Sequence, residues 1–182
     1  MDHTLTEPVE QFVADLTPLL VDIGRTVAGI DPAKLPRDVE AEVNNLVAAF
    51  IDADGLHTDD ELWAYLGTFA PRSDTQLQRA APADVRKARL IVGKAQWLET
   101  PSLLFDVLVQ ADRARGTTGS WTYYQRAMDI AHTVCSLDTH PSHSELAALD
   151  RYRSMLLRTM ELAGVGRPGA RRPATATPAA AA

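Results

Sequence analysis

Asp54-Gly55-Leu56-His57-Thr58-Asp59-Asp60-Glu61-Leu62 and Asp138-Thr139-His140-Pro141-Ser142-His143-Ser144-Glu145-Leu146 decide the reading of this 182-residue chain. In each stretch an acid is followed by six residues, then Glu-Leu, and one residue further on an Ala (Ala64, Ala148). Asp138 and Glu145 each stand 84 positions after their counterparts, Asp54 and Glu61. Thr58 and Ser142 each precede a glutamate by three residues, the capping-box spacing. In that motif the hydroxyl accepts from the third helical N–H, and the glutamate accepts from the N–H of the capping residue. Each stretch follows an apolar run at helical spacing and precedes another. The repeated unit is therefore helix, acidic turn, capped helix. Two copies, too few for a solenoid, predict an all-α bundle with a duplicated helix-turn-helix unit.

Around these stretches, apolar residues recur at helical spacing almost everywhere, with no convincing alternation of the strand kind. A first helix is expected from Thr6 to near Gly29, kinked or split at Pro18. A second runs from about Pro36 to Ile51, with Val39, Val43, Leu46, Val47 and Phe50 on one face. The first capping box opens a third, Leu62 to Phe69. Residues 70–82, with Pro71 and Pro82, read as a loop containing one helical turn. Pro82 begins a helix through Leu98, and Ser102 one to about Arg115. Gly116-Thr117-Thr118-Gly119 is a break, followed by a helix from Trp121 to Leu137. The second box opens the last, to about Leu162. That makes about seven helices in one domain, residues 1–164. Residues 165–182 are Pro/Ala-rich and read as a disordered tail or linker.

Composition narrows the function. The net charge is −6, and the tail holds Arg167, Arg171 and Arg172 without an acid, so the helical domain is more acidic still. Phosphate backbones are repelled by such a domain, which argues against nucleic-acid binding and favours cations or basic protein surfaces. One cysteine, Cys135, permits no internal disulfide and suits a reducing, cytoplasmic setting. No apolar run approaches the ~20 residues of a membrane span, and the N-terminus lacks a signal-peptide pattern.

The run Phe50-Ile51-Asp52-Ala53-Asp54-Gly55, followed by Asp59-Asp60-Glu61-Leu62, resembles the TerB-like tellurite-resistance family. There an apolar helix ends in Ala-Asp-Gly and a Glu-containing helix follows. The likeness covers roughly residues 36–163. Pro101 to Phe105 and Ala111 to Gly116 are similar to the subgroup fused to AAA-type ATPases in actinobacteria. The resemblance implies an all-α fold of two related halves, a cytoplasmic stress-response role and divalent-cation binding by the acidic turns. It also implies a protein partner, such as an ATPase of that type. No Walker-type motif is present, so the chain is not itself the ATPase. In the second copy Thr139 replaces Gly55 and Pro141 replaces His57.

Asp52, Asp54, Asp59, Asp60 and Glu61 place five carboxylates in ten residues without an intervening Lys or Arg. Ca²⁺ and Mg²⁺ want several oxygens around one point, and a turn between helices can supply them. This is not an EF-hand: counted from Asp52, Gly55 falls too early and the last ligand position is Trp63. With the resemblance, Asp54 and Glu61 are the leading ligands, Asp52 and Asp59 lie beside them, and Asp138 and Glu145 could form a second site. The other reading is structural: acids at a helix N-terminus complement its dipole.

Further constellations are weaker. His132, Cys135, His140 and His143 could hold zinc, yet their spacing fits no standard finger; Cys135 reads as core and the histidines as loop. No nucleophile elbow or His-Glu-x-x-His motif appears, so no catalytic residue is assigned. Trp63, Tyr65, Phe69, Trp97, Phe105, Trp121, Tyr123, Tyr124 and Tyr152 read as packing residues. Arg86, Lys87, Arg89 and Lys94 form a basic stripe, solvated or docking an acidic partner. The functional expectation is a non-enzymatic module binding divalent cations, a partner protein, or both, with a metal-free interaction domain serving an ATPase as the alternative.

Overall fold

The computed structural model describes residues 5–73, 77–138 and 140–168. Among them are seven α-helices and no strand: α1 (Thr6–Gly24), α2 (Leu35–Ile51), α3 (Asp59–Phe69), α4 (Pro82–Ala88), α5 (Leu103–Arg115), α6 (Gly119–Cys135) and α7 (His143–Leu162). The all-α expectation is met. Short 3-10 turns at Ala70–Arg72, Leu77–Arg79 and Ala95–Leu98 join them. No helix among the described residues is long and apolar enough to cross a membrane.

The bundle is centred on α1, α2 and α6, each of which packs on the other two. Val9, Phe12, Leu16, Leu20 and Ile23 form the stripe α1 buries, at three- and four-residue steps. Pro18 does not split this helix. It lies on the solvent face, and Ala14, whose carbonyl loses its N–H partner, is exposed too. The helix stops at Gly24 rather than near Gly29. A Cβ on Gly24 would stand 2.7 Å from Leu35 Cδ1, so the start of α2 closes directly over it. At the centre, Tyr123 packs edge-on against Phe12 and stacks obliquely near Phe105, with ring centroids 5.4 and 5.0 Å away. Its hydroxyl bonds to Glu42 and Tyr152, satisfying a polar tip in an apolar interior. Two aromatics expected in the core are not there: Trp63 is 53% exposed and Trp97 is 42% exposed.

The segment from Pro82 to Leu98 departs from the sequence reading. It does not form one helix; α4 ends at Ala88, where Arg89 turns left-handed (φ 54°). The chain beyond that turn is tied instead to α2. The Ala95 N–H donates to Asp52 (2.9 Å) and Lys94 Nζ to Asn45 (3.0 Å), while Ile91 is buried. The basic stripe is thereby partly engaged within the fold, since Arg86 also donates to the His57 carbonyl and to Asp59. At the other end, the domain's contacts run past residue 164. Val165 packs on the core, Trp121 Nε1 donates to the Gly166 carbonyl (3.0 Å), and Arg167 lies over the Trp121 ring. Residues 169–182 of the expected tail lie outside the described residues.

The turn between α5 and α6 is held by one buried carboxylate. Asp112, 4% exposed, accepts from Thr117 Oγ1, from the Gly119 and Ser120 N–H groups and from Ser120 Oγ. It thus caps α6 from the helix before it. Asp112→Ala strands two buried N–H groups and should cost roughly 3 kcal/mol. Thr117→Val removes one of the four bonds and should cost roughly 1 kcal/mol. Urea denaturation of the two variants measures the difference.

Candidate metal centre

Both capping boxes form, and they hold their glutamates in the same way. Thr58 N–H donates to Glu61 Oε2 (2.7 Å) and the Glu61 N–H donates back to Thr58 Oγ1. Ser142 N–H donates to Glu145 Oε2 (2.6 Å) and the Glu145 N–H to Ser142 Oγ (3.1 Å). Capping glutamates usually sit at a helix end open to water. These two are each 1% exposed, because the fold turns the starts of α3 and α7 inward and toward each other.

The meeting point is acidic. One carboxylate oxygen from each of Glu61, Asp138 and Glu145 lies within 4.8 Å of the other two. Thr58 Oγ1 crosses between the halves, within 2.9 Å of Asp138 Oδ1 and 3.0 Å of Glu61 Oε2. The hydroxyl has one proton, so one carboxylate at a time receives it. Each glutamate commits Oε2 to its own helix cap and leaves Oε1 buried with no hydrogen-bond partner. A buried carboxylate oxygen without a partner is costly, and two such groups side by side are costlier.

Electrostatics follow from this burial. Desolvation lifts the Glu61 carboxyl from 4.5 to about 7, against the Thr58 hydrogen bonds and assisted by the negative charges of Asp138 and Asp54. Burial, with the charges of Glu145 and Glu61 nearby, pushes the Cys135 thiol up to about 11. Cys135 is thus a neutral thiol on the margin of the acid cluster, unsuited to attack as a nucleophile.

The other candidate ligands go elsewhere. Asp52 receives His57 Nε2 (2.8 Å) on one oxygen and the Ala95 N–H on the other, so it fastens the chain after α4 to the end of α2. Asp54 Oδ1 accepts the Leu56 N–H in its own turn, close enough for its charge to act on Glu61 but outside the group of three. Asp59 pairs with Arg86 at the surface, and Asp60 is exposed. The first turn therefore contributes one carboxylate, Glu61, to the cluster. The second turn contributes two, Asp138 and Glu145. They form one joint centre rather than a second site. The zinc reading finds no geometry: among the described residues, no group of three potential ligands contains a histidine or Cys135.

Local pattern could not show the Thr58–Asp138 bond, which joins residues 80 positions apart. The equal offset of the two motifs was the available signal. Duplicated helix pairs pack about an approximate two-fold axis, and an axis near the turns brings equivalent residues face to face.

The raised Glu61 pKa gives a signed prediction in the presence of a chelator. Below pH 4.5 the carboxyl is protonated in folded and unfolded chains alike and carries no penalty. Between pH 4.5 and about 7 the unfolded chain releases this proton while the folded protein holds it, so stability falls across that window and levels off above it. Gln fills the same cap without a charge. Glu61→Gln should match the wild type at pH 4 and exceed it by roughly 3 kcal/mol at pH 8. Urea melts at the two pH values check the difference.

Comparison with known proteins adds no constraint: no family model, no curated protein and no solved structure matches the chain.

Proposed function

We propose that this chain is a non-enzymatic helical module that binds a divalent cation between its two halves, at Glu61, Asp138 and Glu145. The observation that carries the reading is the pair of buried, unpartnered oxygens, Glu61 Oε1 and Glu145 Oε1, where three carboxylates converge. The donor set is all oxygen, which favours Ca²⁺ or Mg²⁺ over softer metals. A cation bonded at ~2.4 Å reaches ligands up to ~4.8 Å apart, and one oxygen of each acid lies within 4.8 Å of the other two. A doubly charged ion would also offset the repulsion that burial of the acids creates. Two open grooves among the described residues are lined by no member of the cluster. The two glutamates are buried and Asp138 is half-buried, an arrangement that favours a binding role over catalysis.

A stress-response role of the TerB type, in the cytoplasm, belongs to the same proposal and rests on the sequence resemblance. The alternative, a metal-free interaction domain serving an AAA-type ATPase, draws on a different observation. Leu56 (70% exposed), Trp63 (53%) and Leu146 (49%) offer apolar surface on the same two turns. Under that reading the acid pair is a structural joint and the partner covers these side chains.

The readings separate by melting temperature. Millimolar Ca²⁺, Mg²⁺ or Mn²⁺ should raise the melting temperature of the chelator-stripped protein. The rise should be larger at pH 8 than at pH 6, because the ion competes with the proton on Glu61. Glu145→Gln preserves the cap and should abolish the rise. Melting curves that ignore all three ions at both pH values would sink the cation proposal.

A further inference from the structure

A second site lies away from the acid cluster, and its unpartnered polar groups are donors rather than acceptors. An open groove of about 320 Å³ runs between α2 and the turn after α3, lined among others by Arg37, Glu40, Asn44, Asn45, Phe69 and Arg72. That volume is at the lower end of small-molecule sites. Four of the six polar side chains on its walls, Arg37, Asn44, Asn45 and Arg72, keep hydrogen-bond donors to spare, while the Ser73 hydroxyl donates to the Phe69 carbonyl. Lys94 Nζ donates to Asn45 Oδ1 at 3.0 Å. An ammonium only donates, so this contact fixes which end of the Asn45 amide is the oxygen. The Asn45 NH₂ has no partner among the described residues. Asn44 follows the same pattern: its Oδ1 is held by the Tyr65 hydroxyl (3.2 Å), and its NH₂ is unpartnered.

The two guanidiniums extend the set. Arg37 makes no ion pair or hydrogen bond among the described residues, although Glu40 stands one turn further along the same helix. Arg72 commits one nitrogen to Glu10 (2.9 Å) and keeps the rest of its fork. Glu40 is the one acid in the lining. On a chain of net charge −6, Arg37 and Arg72 set against Glu40 leave this lining at +1, with Glu10 pairing Arg72 from outside it, and two amide donors stand beside them. Guanidinium and amide N–H groups approaching from several sides can use the three oxygens of a phosphate group more fully than the two of a planar carboxylate.

We propose that this groove is an anion site for a small phosphate-bearing ligand, with Arg37 and Arg72 supplying charge and the Asn44 and Asn45 amides supplying orientation. The site stands independently of the cation centre, whose residues it does not share.

The test uses inorganic phosphate and succinate as probes, each titrated into the full chain at constant ionic strength with chloride as control. Two-dimensional ¹⁵N NMR follows the side-chain amides of Asn44 and Asn45. Phosphate should shift both amides saturably in the millimolar range. Arg37→Gln should weaken that binding by tenfold or more, while Lys87→Gln, on exposed α4, should leave it unchanged. Unchanged amide signals at tens of millimolar phosphate would overturn the site. Equal weakening by Lys87→Gln would reduce the effect to general charge and overturn it too. Succinate binding as tightly as phosphate would overturn the assignment to phosphate. None of these readouts depends on divalent cations, so the two sites stand or fall separately.

Discussion

The meeting of two helix N-termini over a pair of buried glutamates is the constraint on which the rest of the structure depends. Glu61 and Glu145 each cap the helix they belong to, and that task fixes one oxygen of each. Because the caps face each other inside the protein, the second oxygens are buried with nothing to bond. A surface capping box has no such difficulty, since water serves the free oxygen. Here the geometry that stabilises α3 and α7 individually creates a shared deficit between them. Two things can lower it: a proton or a cation. The Thr58 hydroxyl is divided between Asp138 Oδ1 and the already capped Glu61 Oε2, and reaches neither free oxygen. The raised Glu61 pKa is the proton's share of the answer.

The duplication is close in sequence and uneven in use. Both halves keep the hydroxyl, the glutamate and the leading acid. The leading acids nevertheless do different work. Asp54 folds back on the Leu56 N–H, in a turn where Gly55 and His57 both take positive φ. Asp138 instead reaches across to Thr58. The cross-bond is made once, not twice: Ser142 Oγ meets Ser144 rather than Asp54. His57 explains part of the asymmetry. Its left-handed backbone and its bond to Asp52 shape the first turn as a clamp on the chain after α4, through the Ala95 N–H. Among the described residues of the second turn, where Pro141 takes that place, there is no such clamp.

This division explains what could be read in advance. The capping boxes, and with them the starts of α3 and α7, were legible because they are local: hydroxyl, glutamate and spacing lie within four residues. The ends of α2 and α7 fell where apolar periodicity stops. The helix expected across residues 82–98 failed for a non-local reason, since Arg89 and Gly93 bend the chain so that Lys94 and Ala95 can reach α2. Trp63 and Trp97 were misplaced because size and apolarity say nothing about which face the bundle leaves open. For the candidate site, the sequence marked a surplus of acids in the first turn and led to Asp54 and Glu61. Counting acids was a poor guide: Asp52, Asp54 and Asp59 each have a partner at hand, and the sparser second turn contributes two of the three converging carboxylates.

Partnering, rather than charge density, thus separates structural acids from candidate ligands. Asp112 makes the contrast within the same molecule. It is as well buried as a ligand would be, yet its two oxygens accept four hydrogen bonds and its charge is met by the N-terminus of α6. A cation there would have to displace bonds already made. Glu61 and Glu145 offer the reverse case, since binding at their free oxygens would cost no cap. The same criterion applied to donors singles out the groove beside α2. There the unpaired groups are amide and guanidinium N–H, and the missing partner is an anion.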